Sequence, residues 1–422
     1  MNSTTTPDCT QVRQRLDLRC LVVVTLIFGY CYALRFVLIY FFPHLVDWTM
    51  PVSAHPAIRD RSVLWQAIGL TSLFLLGFLW IIGIQLLLQY RRPKQEKMTR
   101  PNYAISFQAK ALLALTACTA GVWIALLLSA LGIGIQGQAP ETALPFKLAG
   151  ILIYLKSSVI PVVLLACVLL FERSGHTLYS RLAAFSLILL GFLDMVFFET
   201  RGAALRSLLY IGLLWWVARF KLQRTDKIVI LAIVVTLPVM IAAVTELRLY
   251  GESLDSSVIS RLFAGVNFLM FRVTGAEHLT AVVGFHTPLH LQDLMDTVSS
   301  PRGIPGYYTT ELLGVDPNLP QTFAPSGLGW LYILGGPILL ALGGVLLGFL
   351  AIGVYNWIPQ NLPVLGSAAK SLYILTLAMM LSEGTVEAPL ISFILGYATL
   401  WSLENALKLI TVQCHPNFRT LS

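Results

Sequence analysis

Apolar residues along the chain fall into runs of roughly 18 to 25 positions, broken by short polar connections, and such runs are long enough to cross a ~30 Å hydrocarbon slab as helices. The pattern predicts ten spans, at 20–42, 63–90, 111–136, 147–171, 182–198, 206–220, 228–247, 327–354, 370–384 and 388–408. The predicted fold class is therefore an all-α polytopic membrane protein of about ten transmembrane helices. Within one integral membrane domain, residues 1–247 hold the first seven helices and 327–422 the last three with a C-terminal tail. Between them, 248–326 make one large, partly helical loop. The opening "MNSTTTPDCTQVRQRLDLRC" has no apolar core or small-residue cleavage site, so the first span is expected to stay as an anchor.

Composition sharpens this picture. Of 422 residues, 56% are hydrophobic and only 12% charged, about half the charge that a water-soluble surface carries. The formal net charge of +8 follows from where the lysines and arginines lie. Eighteen of the 29, including Arg13, Arg15, Arg19, Lys110, Arg173, Arg181, Lys370, Lys408 and the run "RRPKQEKMTR", fall on one side of the predicted spans. That bias places both termini in the cytoplasm and makes a nucleic-acid partner unnecessary. All six cysteines lie in spans or on the basic side, which excludes a disulfide framework on the outer face.

The loop at 248–326 is too long for a passive connector, and functional residues collect on loops held by a rigid scaffold. "SLDSSVISRLFAGVNFLMFRVTG" predicts a largely apolar helix with Arg261, Gly265, Phe268 and Arg272 along one stripe. Snorkelling to lipid headgroups accounts for such arginines equally well. "HTPLHLQDLMDTV" predicts a short helix from Pro288 with His290 and Asp293 on one face. The segment after it carries Arg302, the adjacent Tyr307 and Tyr308, and Glu311. The tyrosines fit either sugar stacking or an interfacial aromatic belt. Arg35, Lys156 and Asp194 fall inside spans and are expected to face the bundle interior. Neither a nucleotide-binding glycine motif nor a serine-hydrolase elbow is present, and no cofactor or metal is expected.

The stretch "FFETRGAALRSLLYIGLLW" puts Glu199, Arg201 and Arg206 in a tight turn between two spans. With the basic turn and single span that follow, the loop opening "SRLFAGVNFL" and the closing "FAPSGLGWLYILGGPILLALGGVLLG", it resembles the O-antigen polymerase and O-antigen ligase superfamily over about residues 190–350. The ligase branch carries a loop histidine just before the next helix. Here that place reads "QTFAPSGLGW", so the polymerase branch is favoured. The resemblance implies a metal-independent glycosyltransferase at the periplasmic face of a bacterial inner membrane. It would join undecaprenyl-diphosphate-linked oligosaccharide repeat units into surface polysaccharide such as O-antigen, a lipopolysaccharide component. A flippase and a chain-length regulator are the protein partners implied.

Arginine forks suit a diphosphate leaving group. Arg201 and Arg261 are the first substrate-binding candidates, with Arg272, Arg302, Arg206, Tyr307 and Tyr308 behind them; Glu311, His290 and Glu199 are the candidate bases. Two rivals stand beside this reading. One is a lipid-linked-sugar transferase of another fold, using Asp47 and Asp60 of the first outer loop. The other is a transporter for lipid-linked glycans, for which Lys156 and Pro161 would mark a broken helix.

Overall fold

The computed structural model describes residues 17–42, 56–91, 105–133, 148–198, 202–220, 223–224, 226–228, 230–233, 236–240, 266, 276–284, 295, 303–316, 325–382 and 387–414. Its helices are α1 (Asp17–Phe41), α2 (Pro56–Arg59), α3 (Arg61–Arg91), α4 (Phe107–Ala130), α5 (Leu148–Tyr154), α6 (Ile160–Arg173), α7 (Thr177–Phe198) and α8 (Gly202–Ala218). After the long connection come α9 (Ala276–Gly284), α10 (Gly303–Tyr307), α11 (Ser326–Asn361), α12 (Gly366–Ser382) and α13 (Glu387–Cys414). No strand occurs among the described residues. Among the described residues, seven helices are long and apolar enough to cross a membrane: Cys20–Phe41, Arg61–Leu88, Phe107–Ala130, Leu148–Arg173, Thr177–Phe198, Ser326–Pro359 and Ala388–Leu409. The chain is thus an all-α, multi-pass membrane protein, and Gly202–Ala218 adds a shorter apolar helix.

Local chemistry sets the helix ends. The Ser106 side chain accepts from the Ala109 amide at 3.2 Å and caps α4. Asp60 accepts from the Ser62 amide at 2.8 Å at the start of α3, so its carboxylate serves a helix terminus. α5 passes into α6 through a single π turn, Leu155–Val159, without a break. The π turn lies directly ahead of Pro161, whose ring and missing N–H disturb a regular α-helix at that point. The span that the transporter rival would break at Lys156 and Pro161 is continuous.

The bundle has two distinct ends. At the basic end, Lys110 donates to Ser174 at 2.6 Å across the α4 start and the α6–α7 turn. Arg173 donates to the Val364 carbonyl in the α11–α12 turn. Glu404 of α13, fully buried, accepts from the Val364 and Leu365 amides at 3.0 and 2.8 Å and so places a carboxylate at the N-terminus of α12. Lys370 lies over the Tyr355 ring, 4.3 Å from its centroid. Residues the sequence assigned to one membrane face therefore meet at one end of the bundle.

The opposite end carries the loop. There a separate core joins Phe28, Tyr32 and Phe36 of α1 to Leu64 and Phe74 of α3, Leu279 and Val283 of α9, Tyr308, and Leu328 of α11. α9 packs on α1, α2, α3 and α11 and buries all of its first eight residues, among them the ionisable Glu277 and His278.

Among the described helices, α3 and α11 share the most extensive packing. It is closest where Gly344 meets the backbone of Phe74, and a Cβ there would collide with the Phe74 carbonyl oxygen. Gly344→Ala is expected to destabilise by about 1–3 kcal/mol, the usual cost of overpacking. Gly69→Ala, in open space on α3, should leave thermal unfolding in detergent unchanged, and the two variants measured together check the packing.

Candidate functional site

Two groups of charged side chains sit at the loop end, each assembled from several helices. The first lies under α9. Glu277, fully buried at 0% exposure, pairs with Arg35, whose side chain is 2% exposed; both the Nε and an Nη of the guanidinium reach the same carboxylate oxygen, Oε1. The other oxygen, Oε2, is buried and meets no hydrogen-bond partner among the described residues. Beside Glu277, His278 Nδ1 lies 2.9 Å from the Tyr308 hydroxyl, in the π turn Tyr308–Leu312. Burial holds the Glu277 carboxyl above the usual carboxylate range, while the Arg35 charge pulls the other way. Burial, and secondarily the Glu277 charge, push the Tyr308 hydroxyl well above its ordinary value.

The second group lies where α5 and its π turn meet α7 and α8. Lys156 Nζ is 3.0 Å from Asp194 Oδ1 and 3.3 Å from the centroid of the Phe198 ring. Asp194 and Phe198 are one turn apart on α7, so the ammonium is held between a carboxylate and a ring face. Ser158, in the same π turn, meets Ser392 of α13 at 3.0 Å and fixes the turn against the bundle. Arg206 lies in the second turn of α8, where that helix packs on α7 with Ser207 and Ala203 against Gly191, about one turn from Asp194. Its Nε is buried and meets no partner among the described residues.

Several sequence candidates find a place here. Arg206 is half-buried inside α8, because that helix begins at Gly202 and not at 206. Tyr307, at the end of α10, is half-buried, and Glu311, in the π turn Tyr308–Leu312, is exposed. Tyr308 is fully buried with its hydroxyl opposite His278, so its ring offers no face to a sugar; this corrects the stacking role. Glu199, Arg201, Arg261, Arg272, His290 and Arg302 lie outside the described residues, as do Asp47 and Asp293. Asp60, at the start of α3, is already engaged in capping.

Sequence reasoning passed over Glu277 and His278. One signal pointed to them: Arg35 in an apolar span requires a partner, and "AEHLTAVVG" supplies a carboxylate at the head of an apolar stretch. The chain matches no protein-family model, no curated protein and no solved structure.

The arrangement can hold anions at the Lys156–Arg206 group and can fix the loop to the bundle through Arg35–Glu277. Arg35→Leu leaves a buried carboxylate uncompensated and is expected to cost about 3–5 kcal/mol, whereas the double variant Arg35→Leu/Glu277→Leu should recover most of that loss. Thermal unfolding of wild type, both single variants and the double variant in one detergent measures the coupling.

Proposed function

We propose that the protein is a glycosyltransferase that polymerises undecaprenyl-diphosphate-linked oligosaccharide repeat units. The chain crosses the bacterial inner membrane ten times with both termini in the cytoplasm, and the reaction takes place at the loop end, facing the periplasm. The observation that carries this reading is the docking of the loop: α9 is buried in the end of the bundle and tied to α1 by Arg35–Glu277. Arg272 comes just ahead of α9 and Arg302 immediately ahead of α10. Both arginines are thus close in sequence to helices of the loop end, the end at which the lipid diphosphate would be bound. The motif around Arg201 comes immediately before α8 at the same end.

In the reaction, a sugar hydroxyl of one lipid-linked repeat attacks the anomeric carbon of the other. The new carbon–oxygen bond forms as the bond to the diphosphate oxygen breaks, and the hydroxyl proton passes to a base. Negative charge grows on the departing diphosphate, so arginines aimed at it stabilise the transition state more than the ground state. Arg201 and Arg261 take that role first, supported by Arg272 and Arg302. Glu311, exposed in the π turn Tyr308–Leu312, is the described candidate for the base.

Arg201→Ala is expected to abolish chain extension in cells while the protein inserts at wild-type levels, leaving surface glycan as single repeats. Asp47→Ala should leave long polymer intact. Normal-length polymer from Arg201→Ala, or loss of polymer from Asp47→Ala, sinks this assignment in favour of the alternative transferase fold. Bare lipid core in a deletion strain would indicate ligation instead.

A further inference from the structure

We propose that Lys156, Arg206 and Asp194 form a phosphate site at the bilayer boundary, in which Asp194 stands in for the phosphate until the ligand displaces it. Three observations meet in this group. Lys156 Nζ is 3.0 Å from Asp194, and Arg206 stands beside Ser207, where α8 packs closely on Gly191 of α7, about one turn from Asp194, so that among the described residues two cations share one carboxylate. The Arg206 Nε is buried without a partner among the described residues, which leaves a charge-assisted donor for an incoming oxygen. Lys156 and Asp194 keep 10% and 17% side-chain exposure, so the group is reachable, unlike the sealed Arg35–Glu277 pair at 2% and 0%.

Depth agrees with the chemistry. Asp194 and Arg206 each lie about one helical turn, ~5–6 Å, from the adjoining ends of α7 and α8. Lys156 starts deeper, and its long stem carries the ammonium up to Asp194 across the Phe198 ring. This is headgroup depth. The π turn, tied to α13 through Ser158 and Ser392, presents Lys156 toward α7, and single π turns of this kind recur at functional sites. A phosphate with two or more negative charges offers both cations more charge-assisted bonds than one carboxylate can.

The ligand is a phosphate group on a lipid, whether a bilayer phospholipid or an isoprenyl diphosphate. In the second case the site deepens the proposed function, resting on that reading, by giving the donor lipid a contact below the loop arginines. Native mass spectrometry of the purified full chain in micelles doped with undecaprenyl diphosphate, or separately with phosphatidylglycerol, tests it.

Lys156→Gln and Arg206→Gln should each weaken retention of the lipid by at least about tenfold, the loss expected for one charge-assisted contact. Asp194→Asn, which removes the competing carboxylate, should strengthen retention several-fold. The pattern with the diphosphate identifies the donor lipid as the source, and the pattern with phosphatidylglycerol alone identifies a bilayer headgroup. The double variant Lys156→Gln/Asp194→Asn keeps the pair uncharged, so a wild-type melting temperature there, with weak retention, separates binding from folding. Retention of both lipids by Lys156→Gln and Asp194→Asn at wild-type strength overturns the site. Lipid binding that follows the pattern in a protein that joins no repeats leaves the site standing and removes the polymerase reading. Unaltered binding in an active Lys156→Gln protein does the reverse.

Discussion

A guanidinium buried in an apolar bundle must meet a counter-charge, because leaving either ion alone there costs several kcal/mol. Arg35 of α1 meets Glu277 of α9, across 242 positions of sequence. That single requirement joins the first helix of the bundle to the loop that precedes α11. It places α9 inside the loop end, against α2, α3 and α11, and brings the His278–Tyr308 pair with it. A buried ion pair adds little net stability over an apolar replacement; its value here is registry. The pair defines one docked position for a helix that apolar contacts alone would hold less specifically.

Charges are satisfied at both ends. At the basic end, Arg173 serves the Val364 carbonyl, Glu404 the amides ahead of α12, and Arg181 pairs with Asp226. At the loop end, Arg35 meets Glu277 and Lys156 meets Asp194, with Arg206 as a second cation of that group among the described residues. A partly exposed group with two cations suits an anionic lipid headgroup. A sealed, matched pair such as Arg35–Glu277 suits structure.

Much of the membrane scaffold was legible in the sequence because each apolar run carries its own length signal. The helices still extend past the apolar windows. α7 begins at Thr177 and not at 182, since Ser180 returns a hydrogen bond to the Val168 carbonyl and Arg181 pairs with Asp226 at 2.9 Å, so polar residues join the helix. α11 runs on to Asn361 beyond the expected 354 and bends at Gly335–Gly336–Pro337, where the backbone leaves helical geometry. The need of Arg35, Lys156 and Asp194 for interior partners was also readable, and all three have them. Which partners they take was not. Periodicity carries no information about contacts between Arg35 and Glu277, and the burial of Tyr308 depends on how α9 docks. Arg206 looked like a surface charge in a turn until the helix start at Gly202 moved it inside.

The account stands on glycosyl transfer taking place at the loop end with a lipid diphosphate as leaving group. The most direct measurement reconstitutes the purified chain in detergent with one synthetic undecaprenyl-diphosphate-linked repeat unit and follows both products over time. The account predicts lengthening glycan together with one molecule of undecaprenyl diphosphate released per linkage formed, without added nucleotide sugar. Intact single repeats and no released lipid, from protein that is folded and monodisperse, would contradict it.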